Sequence, residues 1–127
     1  MPLVRIDVIE GRDETAIQEL LDAAHRAVVT AFEVPESDRY QLIQEHKASH
    51  FRVEDSELGI ARTHNTIVVS MTTSARSDAA KQLFYRALCR ELEDSCGIVC
   101  SDVIVSITTA NADWSRGLGD AQRLIGI

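Results

Sequence analysis

Three residues of this chain have types suited to proton transfer and carboxylate binding: Pro2, Asp38 and Arg76. Pro2 opens the run MPLVRIDV. With the initiator methionine removed it carries a free secondary amine, a base that no other residue supplies. An unperturbed α-amino group has a pKa of about 8, and a secondary amine is more basic. An apolar pocket or neighbouring cations lower that value, whereas a carboxylate raises it. Pro2 is thus equipped to accept a proton when neutral and to donate one when charged. With Met1 retained the nitrogen is an ordinary amide, and Pro2 is only a first strand residue that need not donate to the ladder.

Arg76 lies in TTSARSDAA, at the end of a predicted strand and just before a helix. Crevices beyond the carboxyl ends of parallel strands favour ligands, and an arginine fork there suits a carboxylate. Taken alone it is equally a solvated turn residue. Asp38, in VPESDRY, is by local rules a turn or cap aspartate. Other chemistries lack their spacings. His46 and His50 are four apart, but in a segment without helix signals, and His25 and His64 add no ligand pattern, so no metal site is expected. The GLG at 117–119 has neither a third glycine nor a following helix, and no phosphate-binding loop or nucleophile elbow occurs.

The elements that must position these residues come from an internal repeat at an offset of 64 residues. Leu3-Val4 falls on Ile67-Val68, Arg12 on Arg76, Asp13 on Ser77, Leu20 on Phe84, Ala24 on Leu88 and Asp38 on Asp102. In the first copy Val4, Ile6 and Val8 alternate with Arg5 and Asp7, a strand with one face more deeply buried. Asp13 is a helix N-cap candidate, followed by Ile17, Leu20, Leu21, Ala24, Ala27, Val28 and Ala31 at three-and-four spacing, a stripe ending near Phe32 before Pro35. In the second copy TIVVSMTT (66–73) is a strand, Ser77 caps a helix that Gly97 stops, and DVIVSITT (102–109) is the next strand.

Two β-α-β units of this length imply parallel strand pairs joined by right-handed crossovers. The expected fold is α/β: one four-stranded, mainly parallel-paired sheet with two helices on one face, forming a single domain over residues 1–127 with repeat halves of about 2–43 and 66–109. The other sheet face would be bare. Leu3, Val68 and Ile104 are too apolar to meet water across a whole face, so oligomerisation through it is expected. The stretch 40–65 reads as a hairpin or extended segment across the sheet edge, and the tail 111–127 as a loop or short hairpin able to wall a pocket.

A 45% hydrophobic and 26% charged composition is that of a globular protein without an apolar run of the roughly 18 residues a membrane span needs. Arg5, Asp7 and Glu10 stand where the apolar core of a secretory leader would lie, and the expected location is the cytoplasm. A net charge of −7 argues against a nucleic-acid partner, so an anionic ligand needs a local cationic site. Cys89, Cys96 and Cys100 are odd in number and read as small apolar residues in a reducing compartment.

An initial Met-Pro-Leu, a β-α-β unit repeated once and an arginine ahead of the second helix resemble the tautomerase superfamily, whose members use an amino-terminal proline. Within it, IEGR (9–12), LLDAAHRAVVTAFEVPESDRYQ (20–41), FYRAL (84–88), DSCGIVCSDVIV (94–105) and ADWS (112–115) resemble malonate semialdehyde decarboxylases nearly end to end. The resemblance implies a cofactor-independent, metal-free carboxy-lyase acting as a homotrimer on a small anionic 3-oxo acid, with a hydratase side activity. Pro2 would match the catalytic proline, Asp38 the acid that activates water or tunes the proline, Arg76 one of two substrate-binding arginines and Trp114 part of the hydrophobic wall. Two positions depart from that pattern: Ser74 replaces the first arginine, and Arg116 replaces an aromatic residue after Trp114 and could restore the missing charge. The alternatives are a keto-enol tautomerase of phenylpyruvate-like 2-oxo acids, needing only Pro2 and Arg76, and a non-catalytic oligomeric homologue.

Overall fold

A computed structural model describes residues 2–55, 58–110, 115–117 and 119. The chain runs β1 (Leu3–Ile9), α1 (Glu14–Phe32), β2 (Tyr40–His46), β3 (Ile67–Thr73), α2 (Asp78–Cys96) and β4 (Val103–Thr109), with 3-10 turns at Ala48–His50 and Cys100–Asp102. The strands form one sheet in the order β2-β1-β3-β4. β1 pairs with β2 in parallel and β3 with β4 in parallel, and the two units meet antiparallel along β1 and β3. This is the duplicated β-α-β architecture that the repeat implies, with both helices on one face.

Alternation decides which strand side faces the helices. Val4, Ile6 and Val8 of β1 and Ile67, Val69 and Met71 of β3 are buried, and Arg5 between them is exposed. The helices begin where their caps stand: Asp13 accepts from the Ala16 N–H at 2.8 Å and Ser77 from the Ala80 N–H at 3.1 Å. Their apolar stripes pack on each other and on the sheet in one core, where the repeat partners Leu20 and Phe84 are both fully enclosed. Truncating Leu20 to alanine would cost about 2–5 kcal/mol. The helices end at left-handed residues, Gly97 (φ 66°) after α2 and Glu33 (φ 54°) after α1, whose N–H groups return to Glu93 and Val29.

The opposite sheet face is mixed. Leu3, Val68 and Ile104 are half-buried, but Leu42 is 57% exposed, and Arg5 bonds Asp7 and Gln44 beside it. Of the two forms expected for stretch 40–65 the extended one is found: its start is β2, an edge strand beside β1, and among the described residues beyond it only the 3-10 turn at Ala48–His50 forms. One expectation changes. Cys89 and Cys100 form a disulfide with Cα atoms 5.1 Å apart, leaving Cys96 as the free thiol. The turn after Gly97 folds Cys100 back onto α2, a closeness that spacing along the chain does not reveal. The expected tail structure lies mostly outside the described residues.

Candidate active site

The topology brings four strand ends to one edge of the sheet. β1 and β2 start there, and β3 and β4, running the other way, finish there. Leu3 faces Thr72 on one side and Tyr40 on the other. One step further along the same register, Pro2 stands beside Thr73 and Arg39. Pro2 is buried, as is Thr73 at 1% exposure. Asp38 lies two residues before β2 at the same edge, half-buried, in a turn closed by its N–H to the Pro35 carbonyl at 2.9 Å. The structure thus brings Pro2, Asp38 and Arg76 to one end of the molecule.

Arg76 follows β3 and precedes Ser77, the cap of α2. Its Nε donates to the Thr73 hydroxyl at 3.2 Å, and its Cζ lies 5.0 Å from the centre of the Phe32 ring. Phe32 in turn stacks on Phe84 with ring centres 5.3 Å apart, so the guanidinium rests on an aromatic column rooted in the core. Burial lowers the Arg76 pKa, yet a guanidinium stays charged at neutral pH. Its Nη2 is buried without a hydrogen-bond partner, the one such side-chain atom among the described residues. A buried charged donor left unpaired costs more than the roughly 1–3 kcal/mol of a neutral one, and an incoming anion removes that cost.

The neighbouring cation is not equivalent. Arg39 is held by Asp22 at 2.6 Å and Gln41 at 2.6 Å. Ser74 is half-buried beside Arg76, Arg116 is exposed, and Trp114 lies outside the described residues. The Ala110 N–H donates to the Thr73 carbonyl at 2.7 Å, which ties the end of β4 to this edge. Thr73 and Phe32 are the neighbours of Arg76 that sequence reasoning missed. Thr73 had a signal, since it ends the strand predicted to carry Arg76; Phe32 lies 44 positions before that arginine and had none.

The far end of the sheet holds the repeat counterparts, and there the polar groups answer one another. Asp102, matching Asp38, is 1% exposed and accepts from the Thr63 N–H at 2.8 Å, the Thr63 hydroxyl and the Thr66 hydroxyl at 2.8 Å. Thr66 occupies the place that Pro2 holds in the first copy. Arg12, matching Arg76, donates from Nη2 to the Asn65 carbonyl at 3.2 Å. A cavity of about 240 Å³ at this end is lined by Phe51, Arg62, His64 and Thr66, but Asp55 neutralises Arg62 at 2.6 Å. His46 is engaged by Asp7 at 2.7 Å, and no group of three metal-ligating side chains occurs among the described residues.

Two family models, each described as a tautomerase enzyme, match residues 2–60 and 38–117. A probable tautomerase of Bacillus subtilis (strain 168), YrdN, is 53% identical over 127 residues, covering 99% of this chain and 98% of its own. Among solved structures, a malonate semialdehyde decarboxylase, studied for its decarboxylase and hydratase activities, superposes with a TM-score of 0.89 at 40% identity, covering 93% of this chain and 92% of its own. A second malonate semialdehyde decarboxylase, inhibited by 3-bromopropiolate, gives a TM-score of 0.86 at 32% identity over 93% and 91% of the two chains. The shared fold, the end-to-end match and the sequence models agree: the chain belongs to the tautomerase family.

Proposed function

We propose that this protein is an amino-terminal-proline decarboxylase of a small 3-oxo acid such as malonate semialdehyde, with hydration of unsaturated or acetylenic acids as a side activity. The observation that carries the proposal is the buried, unpartnered Nη2 of Arg76, whose Nε is bonded to Thr73, the residue one register step past the Leu3–Thr72 pair on the side of Pro2. Arg76 takes the carboxylate and sets the scissile bond perpendicular to the carbonyl plane. Protonated Pro2 donates to the carbonyl oxygen where enolate charge develops; on the alternative route neutral Pro2 attacks the carbonyl carbon and, with loss of water, forms an iminium. Carbon dioxide leaves and its bonding pair enters the enolate or the enamine; reprotonation at carbon, followed on the iminium route by hydrolysis that frees Pro2, gives the aldehyde. Asp38 orients water for the hydration. No metal or organic cofactor takes part.

The relatives support this choice, because the two solved structures at 40% and 32% identity are named as decarboxylases. One observation favours the second reading, a keto-enol tautomerase of phenylpyruvate-like 2-oxo acids: Ser74 stands where a second arginine is expected, and tautomerisation needs only a base and one carboxylate handle. The protein acts on a small anion in the cytoplasm as a homotrimer, without nucleic-acid or membrane partners. No helix among the described residues is long and apolar enough to cross a membrane.

The test combines intact mass with turnover. Loss of Met1 from the cellular protein, carbon dioxide release from malonate semialdehyde, and its loss by at least about a hundredfold in Pro2→Ala are the expected results. Borohydride trapping at Pro2 distinguishes the iminium from the hydrogen-bonded route. Wild-type protein that ketonises phenylenolpyruvate without releasing carbon dioxide supports the second reading. Retention of Met1 in the cell removes both and leaves a non-catalytic homologue.

A further inference from the structure

We infer that Thr73 is a positioning residue that selects which edge of the Arg76 guanidinium receives the substrate carboxylate; this rests on the carboxylate role given to Arg76 above. A guanidinium offers five N–H donors in a plane and has two forked edges facing a carboxylate, one formed by Nε with a terminal nitrogen and one by the two terminal nitrogens. The Thr73 hydroxyl accepts from Nε at 3.2 Å and so occupies half of the first fork. Phe32 lies against one face of the plane, with Cζ 5.0 Å from its ring centre. Of the two terminal nitrogens, Nη2 is buried and unpaired. The carboxylate therefore enters at the terminal edge.

The same residue is placed to make this selection stiff. Thr73 is the last residue of β3, 1% exposed, and its carbonyl is engaged by the Ala110 N–H at 2.7 Å. A β-branched side chain on a strand has restricted rotation about χ1, so its hydroxyl is presented to Nε with little freedom to lose. The ring floor beneath is equally fixed, since Phe32 is 7% exposed and stacked on the fully buried Phe84. Arg76 itself has a long, rotamer-rich side chain, and ordering such a chain at the moment of binding costs affinity. Thr73 and Phe32 meet that cost before the ligand arrives. The repeat counterpart lacks the device: the position matching Thr73 is Ile9, that matching Phe32 is Cys96, and Arg12 there turns to the Asn65 carbonyl.

Thr73→Val keeps the shape and removes the acceptor. With 3-oxobutanoate as the probe, its dissociation constant is expected to rise about tenfold in Thr73→Val and to return to within about twofold of wild type in Thr73→Ser. A second reading needs no ligand: in the nitrogen-15 spectrum of the free protein, the Arg76 Nε–H is slow to exchange in wild type and Thr73→Ser and fast in Thr73→Val. Tighter probe binding by Thr73→Val overturns the inference, because it shows the hydroxyl competing with the carboxylate instead of directing it. Equal affinity and equal exchange in all three proteins also overturn it. Arg76→Ala separates the levels. If it binds the probe like wild type, or if wild type does not bind it, the carboxylate role of Arg76 fails and the inference with it. If Arg76→Ala loses binding while Thr73→Val does not, only the positioning role fails.

Discussion

At the residue scale the two aspartates that the repeat pairs have different surroundings. Asp38 sits half-buried in a turn, whereas Asp102 is enclosed and saturated by Thr63 and Thr66. Burial pushes the Asp102 pKa up, but the hydrogen bonds from Thr63 and Thr66 and the charge of Arg62 outweigh it and hold the carboxyl below its ordinary value. A folded-state value lower than the unfolded one gives stability that is complete above the unfolded pKa of about 4 and is shed as pH falls through the depressed value. Asp102→Asn should therefore lose about 1–3 kcal/mol at pH 7 by denaturant unfolding, and its deficit against wild type should shrink on acidification. A deficit independent of pH would show that shape, not charge, is what Asp102 contributes. The identity of these residues was visible in the sequence, and their environments were not. Nothing in VPESDRY or CSDV distinguishes a half-buried turn aspartate from one that three donors enclose.

At the element scale the sequence was most informative where spacing alone decides. Alternation in LVRIDVI and IVVSMTT set the buried strand faces, and Asp13 and Ser77 marked both helix starts within hydrogen-bond detail. It was least informative where closure depends on distant parts. The antiparallel meeting of the two units along β1 and β3 needs the whole sheet, and the Cys89–Cys100 bridge needs the fold of the turn after Gly97. Helix ends fall between. Gly97 announced itself, but its repeat counterpart is Glu33, which adopts nearly the same left-handed backbone, φ 54° and ψ 33° against 66° and 22°. An L side chain pays about 1–2 kcal/mol there, partly offset by the looser unfolded chain of glycine. Glu33→Gly should raise stability by about 0.5–1 kcal/mol, read as a higher thermal midpoint. Gly97→Ala should lower it by about 1 kcal/mol through backbone strain alone, since no atom lies within 4 Å of an added Cβ. Equal midpoints for the three proteins would mean that the ends relax freely.

For the whole molecule, duplication produced two ends with a matched arginine, Arg76 and Arg12, and among the described residues only Arg76 keeps a buried donor without a partner. The proposed homotrimer rests on the other surface, the sheet face away from the helices, where Leu3, Val68, Ile104 and the exposed Leu42 lie among polar neighbours. Light scattering should return about three times the 14.1 kDa chain mass for wild type and a lower mass for Leu42→Asp, which places an unpaired charge on that face. An unchanged mass in the variant would move the interface elsewhere. The bare face was foreseeable from helix count and strand pattern; the asymmetry of the ends was not, because it arises from contacts that each half makes with the linker and with the other half. One consequence reaches beyond that edge. Thr73 grips the last strand through its backbone oxygen and the guanidinium through its hydroxyl, so a single residue acts as a coupling pin. A substitution at this position would disturb both bonds at once, the one where the chain leaves the sheet at Ala110 and the one that holds the Arg76 side chain.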